Sequence, residues 1–298
     1  MQSIVIEQVT KRYGSVTAVE DLSLAVPAGS LYGFIGPNGS GKTTTLRMIL
    51  QIILPDSGSV YILGQLSSRE ALDRVGYLPE ERGVYRKMKV HEALEFFGEL
   101  KGMARKRCQE RIAYWLDRFG MTAVRDKKME ELSKGNQQKI QFLTAVLHDP
   151  DLIVLDEPFM GLDPINSLLL KEIMLEQKSR GAAIIFSTHL MDEAEKLCDA
   201  ICLINKGRKV LDGELKTIKR NFGKRNVILS YTGSADYLKD DSLVKHYNDY
   251  GNHVEISLTE GASYKALLQK ALQHAEISRF EMVEPSLNEI FISTVTQS

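Results

Sequence analysis

The chain has 298 residues, a formal net charge of −1, 43% hydrophobic and 26% charged residues. That is the composition of ordinary globular domains, with enough chain for one large or two moderate cores, and its balanced charge excludes a globally basic nucleic-acid binder. No run approaches the roughly 18 apolar residues of a membrane span, the first residues lack a signal-peptide pattern, and Cys108, Cys198 and Cys202 form neither a CxxC pair nor a metal-ligand set, so reduced thiols, a cytoplasmic setting and no nucleic-acid partner are expected.

In chain order, residues 4–9 alternate apolar and polar side chains, residues 11–15 turn, and residues 22–26 alternate again, which predicts an antiparallel hairpin. The apolar run 31–35 predicts a buried strand and residues 44–51 a helix. Between them, Gly36-Pro37-Asn38-Gly39-Ser40-Gly41-Lys42-Thr43 fits G-x-x-x-x-G-K-[ST] at every fixed position. Backbone N–H groups of such a loop, continuing through Thr44 into the helix, converge on phosphate where the helix dipole favours negative charge. Lys42 brings a point charge to the β- and γ-phosphates, and the Thr43 hydroxyl is a Mg²⁺ ligand. The chain is therefore expected to bind a nucleoside triphosphate.

Residues 59–63 and a segment ending at Pro79 read as strands. Helical periodicity follows at 92–101 and 109–119, and a helix opens near Ser133. Residues 152–155 form a short apolar strand of the parallel-sheet kind. Asp163-Pro164 opens the next helix as cap and first-turn proline. A strand at 182–187, a helix at 191–197 and strands at 200–205 and 209–211 continue the alternation that implies a parallel α/β sheet. Beyond Thr217 the character changes. Strands at 226–231, 244–247, 253–258 and 278–283, a helix at 262–272 and a turn at Gly251-Asn252 predict a small α+β domain over 218–298, joined by a basic linker, 216–225, to a first domain over 1–217.

Two further motifs carry chemistry. Leu152-Ile153-Val154-Leu155-Asp156-Glu157-Pro158 ends an apolar strand in two carboxylates, Asp156 for the Mg²⁺ shell and Glu157 to polarise the water that attacks the γ-phosphate. Leu132-Ser133-Lys134-Gly135-Asn136-Gln137-Gln138 opens a helix, and alone it is an ordinary N-cap.

In this order the motifs resemble the ATP-binding cassette (ABC) ATPases, whose signature usually reads Leu-Ser-Gly-Gly-Gln. Gly161-Leu162-Asp163 is similar to the family's D-loop, His189 to its switch histidine, and Tyr13 to its adenine-stacking aromatic. The resemblance implies a P-loop NTPase fold: a parallel-sheet core, an antiparallel β subdomain and a helical subdomain at about 88–148. It also implies head-to-tail dimers, homodimers or pairs with a close paralogue, in which Ser133 and Gly135 meet the γ-phosphate bound by the other subunit. This chain departs from the pattern at Lys134 and Asn136. It departs again at Glu80, which stands where the family has the Q-loop glutamine and keeps an oxygen for Mg²⁺ or water. With Glu157 and His189, Glu80 completes the catalytic candidates.

The run from Pro79 to Tyr85 and the segment 283–291 resemble stand-alone exporter cassettes. That likeness implies an ATPase subunit held at the inner face of the cell membrane by a multi-span permease exporting ions, drugs or peptides, with Tyr85, Met88, Phe96 and Phe97 as permease contacts. The competing reading is a soluble ABC ATPase acting on ribosomes or DNA. A P-loop kinase or GTPase has no use for the Ser133 signature or His189.

Overall fold

Period-two alternation along Gln2–Tyr13 (β1) and Val16–Pro27 (β2) buries Ile4, Ile6, Val9, Leu22, Leu24 and Val26. The strands pair antiparallel across a turn in which Gly14 has φ 58°. Lys11, Arg12 and Tyr13, expected to turn, remain in β1. The Asp56 carboxylate holds them extended, accepting from Lys11 Nζ at 2.8 Å and Arg12 N at 2.7 Å. The computed structural model describes residues 2–81, 86–222, 226–239, 242–259 and 261–296.

Leu31–Ile35 (β3) is wholly buried and leads through the glycine-rich loop into Lys42–Ile49 (α1). Ser57–Ile62 (β4) and Gln65–Leu66 (β5) complete a four-stranded sheet in the order β2-β1-β4-β5. Arg69–Asp73 (α2), capped by Ser68, and Val75–Leu78 (β6) follow. Then come Val90–Leu100 (α3), Arg105–Arg118 (α4) and Lys134–Val146 (α5). Helices α4 and α5 share an aromatic core: Trp115 lies 6.2 Å from Phe119 between ring centroids, and Phe119 lies 6.3 Å from Phe142.

Leu152–Asp156 (β7), Pro164–Ser179 (α6), Ala183–Thr188 (β8), Met191–Leu197 (α7), Ala200–Asn205 (β9) and Arg208–Glu214 (β10) finish a six-stranded sheet, β10-β9-β3-β8-β7-β6. Its strands run parallel except β10. Strands β3, β7 and β8 are buried along their whole length, which is why they read as unbroken apolar runs. Register then decides where the chemistry sits. Asp156 lies opposite Ser187, and Ile35 opposite Thr188, so the carboxyl ends of all three strands reach one edge of the sheet.

The chain divides into two compact units, Met1–Glu214 and Leu215–Ser298. The second comprises Leu215–Phe222 (α8), Asn226–Gly233 (β11), Val244–Asp249 (β12), His253–Leu258 (β13), Tyr264–His274 (α9), Ala275–Val283 (β14) and Leu287–Thr296 (α10). Its antiparallel sheet, β12-β13-β11-β14, packs Val227, Leu229, Val254 and Ile256 with Leu267 of α9. Part of the expected basic linker is helix: Leu215 and Ile218, three apart on α8, are buried while Lys216 and Arg220 stay exposed. Helix α10 is a further difference. Ser286 and Glu289 cap it reciprocally, Glu289 N donating to Ser286 Oγ at 3.2 Å and Ser286 N to Glu289 Oε2 at 2.8 Å.

Candidate nucleotide-binding site

The glycine-rich loop owes its shape to two close approaches. A Cβ at Gly36 would lie 2.2 Å from the Ile204 carbonyl oxygen. Gly41, which caps α1, has φ 106°, and a Cβ there would lie 2.5 Å from the Ala18 carbonyl oxygen. Only glycine closes the loop this tightly. No side chain caps α1, so its first amides face the loop with the positive end of the helix dipole. Pro37, Asn38, Gly39 and Ser40 complete the turn. The buried Ser40 Oγ has no hydrogen-bond partner among the described residues.

A cleft of about 200 Å³ opens over this loop, lined by Ala18, Asn38, Gly39, Gly41, Lys42, Thr43, Thr44, Glu80 and Glu157. Lys42 is buried. Its Nζ donates to the carbonyl oxygens of Gly36 at 2.8 Å and Pro37 at 3.1 Å, and lies 3.9 Å from Glu157 Oε1. Burial holds the Lys42 ammonium below its ordinary range, against the opposing pull of Glu157, Asp156 and Glu80. On the other wall, Thr43 Oγ1 approaches Glu80 Oε2 at 3.5 Å.

Strand β7 delivers both carboxylates. Asp156 is 1% exposed, and burial pushes its carboxyl above the usual carboxylate range, although the Ser187 hydroxyl donates to Oδ1. Its Oδ2 is buried without a hydrogen-bond partner among the described residues. Glu157 follows at φ 47°, a left-handed conformation that a non-glycine residue adopts only when its surroundings fix it. They do so here. Glu157 N donates to the Ser187 carbonyl at 3.2 Å; Oε1 accepts from His189 N at 3.1 Å and lies 2.8 Å from His189 Nδ1; Thr188 Oγ1 donates to Oε2 at 3.3 Å.

The fold thus brings Lys42, Thr43, Glu80, Asp156, Glu157 and His189 together. It leaves Ser133, Gly135 and Tyr13 outside this cleft. Exposed Ser133 caps α5, accepting from Asn136 N at 3.3 Å; Gly135 lies nearest Gly161; and Tyr13, at the end of β1, is 51% exposed. Residues that the sequence did not single out also hold the site: Ala18 as cleft wall, Ser187 and Thr188 as partners of the two carboxylates.

Helix α5 ties the helical region to this edge. The Gln138 amide donates to the Pro158 carbonyl, and the Gln141 amide to the Glu81 carbonyl, each at 3.3 Å. A second cleft, about 290 Å³, is lined by Tyr77, Pro79, Phe97, Leu100, Lys101, Gln141, Thr144 and His148. Of the expected permease contacts, Phe97 lines it, Phe96 is exposed, Met88 is half-buried, and Tyr85 lies outside the described residues.

Comparison with known proteins supplies the family. Residues 19–160 match the family described as "ABC transporter", and residues 213–295 match the "ATP-binding protein DrrA1-3-like, C-terminal domain". The chain is 42% identical over 292 residues, 98% of each chain, to the uncharacterized ABC transporter ATP-binding protein YhaQ of Bacillus subtilis. It is 36% identical over 252 residues, 84% of this chain and 81% of the relative, to the Nod factor export ATP-binding protein I of Burkholderia orbicola. A solved structure of an ATP-binding subunit of an ABC transporter superposes with TM-score 0.70 at 31% identity, over 74% of this chain and 93% of the other. These relatives are transporter subunits, which decides against a soluble ATPase of ribosomes or DNA. The chain belongs to the ABC transporter ATP-binding proteins, the family that binds and hydrolyses ATP to power transport.

Proposed function

We propose that this chain is the ATPase subunit of an exporter, closing with a second copy of itself or a close paralogue around ATP and Mg²⁺ to drive a separate multi-span permease. The observation that carries the reading is the convergence of Lys42, Thr43, Glu80 and Glu157 on one cleft, with His189 holding Glu157 and Asp156 buried beside it, while Ser133 and Gly135 stay outside the cleft. A half-site of this kind has use for a second subunit. Similarity to a Nod factor export protein supports the export direction. Among the described residues no helix is long and apolar enough to cross a membrane, and in this reading the passage belongs to the permease, which holds the chain at the inner membrane face.

Within the cleft, Lys42 exchanges its carbonyl partners for β- and γ-phosphate oxygens, and the amides from Gly39 to Thr44 cradle the β-phosphate. Tyr13 has the exposure to stack on adenine. The donors suit Mg²⁺: the Asp156 carboxylate, the Thr43 hydroxyl and the Glu80 carboxylate are hard oxygens. Among the described residues no three His, Cys, Asp or Glu side chains can hold a metal alone, so phosphate oxygens would complete the set. Bound by Thr43 and Asp156 with Glu80 beside them, Mg²⁺ would neutralise charge on the transferred phosphoryl group. Glu157 accepts the proton of the attacking water, and His189 and Thr188 fix the carboxylate that receives it.

Glu157→Gln tests the assignment. It should retain ATP binding, lose nearly all turnover and accumulate as an ATP-bound dimer on gel filtration. Near-normal turnover would assign water polarisation to another group. Purification of the native complex from membranes should recover a multi-span partner, and recovery of ribosomes alone would defeat the export reading.

A further inference from the structure

The cleft carries more anionic charge than Lys42 balances. Glu157 lies 3.9 Å from the Lys42 ammonium, and Asp156 and Glu80 also bear on its charge. Two of these carboxylates are fixed: Glu157 by His189 and Thr188, and Asp156 by Ser187, which leaves Oδ2 buried and without a hydrogen-bond partner among the described residues. The third is different. Glu80 is exposed on the cleft wall, its Oε2 is 3.5 Å from Thr43 Oγ1, and among the described residues it has no ion-pair partner. The nearby cation Arg47 pairs instead with Glu81, at 3.3 Å.

A nucleoside triphosphate adds several negative charges to this setting. Without a metal, the Glu80 carboxylate faces the phosphates as a like charge. With a divalent cation between them, the same carboxylate becomes attractive. We propose that Glu80 makes ATP binding conditional on a divalent cation, opposing the metal-free nucleotide and favouring the metal complex. A glutamine here would offer the same oxygen without the charge, and ATP would bind with far less regard to metal. The coupling is reciprocal: whatever factor the metal adds to ATP affinity, ATP adds to metal affinity. The proposal rests on the nucleotide-site reading given above.

The test measures ATP dissociation constants of the full chain by calorimetry, in EDTA and in Mg²⁺, for wild type, Glu80→Gln and Glu80→Asp. Mn²⁺ affinity of each ATP-saturated protein is read by electron paramagnetic resonance. Glu80→Gln should bind metal-free ATP more tightly, and its ratio of metal-free to metal-bound dissociation constants should fall about tenfold or more, the effect of one close charge. Its Mn²⁺ affinity should fall by the same factor, while Glu80→Asp, which keeps the charge, should retain most of the ratio. Glu80→Ala guards against a folding artefact and should show the same metal-free gain. A Glu80→Gln ratio or Mn²⁺ affinity within about twofold of wild type would overturn the proposal alone. Wild-type protein that binds no ATP even with Mg²⁺ would instead overturn the nucleotide-site reading.

Discussion

Lys42 spends its charge on two carbonyl oxygens and a carboxylate 3.9 Å away, in a buried position that holds its ammonium below the ordinary range. Phosphate oxygens are better partners for that charge than carbonyls. Lys42→Ala should therefore weaken ATP binding by about 3 kcal/mol, roughly a hundredfold in Kd, measurable by calorimetry. Wild-type affinity in that variant would remove the loop from nucleotide binding. Lys42 and its loop were legible in the sequence because eight consecutive residues make the whole device. Ser187 was not. It acts on Asp156 across a strand pair, 31 positions away, and only the β7–β8 register brings the two together. Nor does the motif signal the left-handed backbone of Glu157, which depends on a hydrogen bond to the Ser187 carbonyl.

At the scale of elements, the parallel strands were legible because burial on both faces leaves an unbroken apolar run, and α5 because Ser133 caps it. What α5 packs against was hidden. Gln138 and Gln141 are polar, yet both are buried, donating their amides to carbonyls of other segments. Helix α8 was masked by its lysines and arginine, and α10 went unread although the Ser286–Glu289 spacing was a readable capping box. Just past the end of α5, His148 lines the second cleft with Nε2 buried and without a hydrogen-bond partner among the described residues. Burial, with Lys101 adding to it, pushes the His148 imidazole down from 6.5 to about 4. The folded protein therefore binds this proton less readily than the unfolded chain. The stability it confers is complete above the unfolded value and is lost as the pH falls from about 6.5 towards 4. Between pH 7 and pH 5 the loss should be about 2 kcal/mol. His148→Gln should flatten that acid slope in urea denaturation followed at both pH values. An unchanged slope would mean that other groups carry the acid sensitivity.

At the scale of the whole molecule, the two units bury separate cores. One extends from Ile4 to Ile204, and the other from Val227 through Ala271. Every candidate nucleotide-contacting residue, from Tyr13 to His189, precedes the division between Glu214 and Leu215. The basic stretch that the sequence offered as a linker is helical through Phe222. If each core suffices for its own folding, a chain ending after Glu214 should keep β10 whole, unfold cooperatively and bind ATP with a Kd within about twofold of the full chain. Calorimetric unfolding of the full chain should show a second transition that the truncated chain lacks. With ATP binding intact, the contribution of residues 215–298 would then appear in the ATP-dependent dimer or in coupling to the permease, measured as dimer fraction and as turnover in the membrane complex. A truncated protein that folds but cannot bind ATP would overturn this division of labour, because the second unit would then have to complete the nucleotide site.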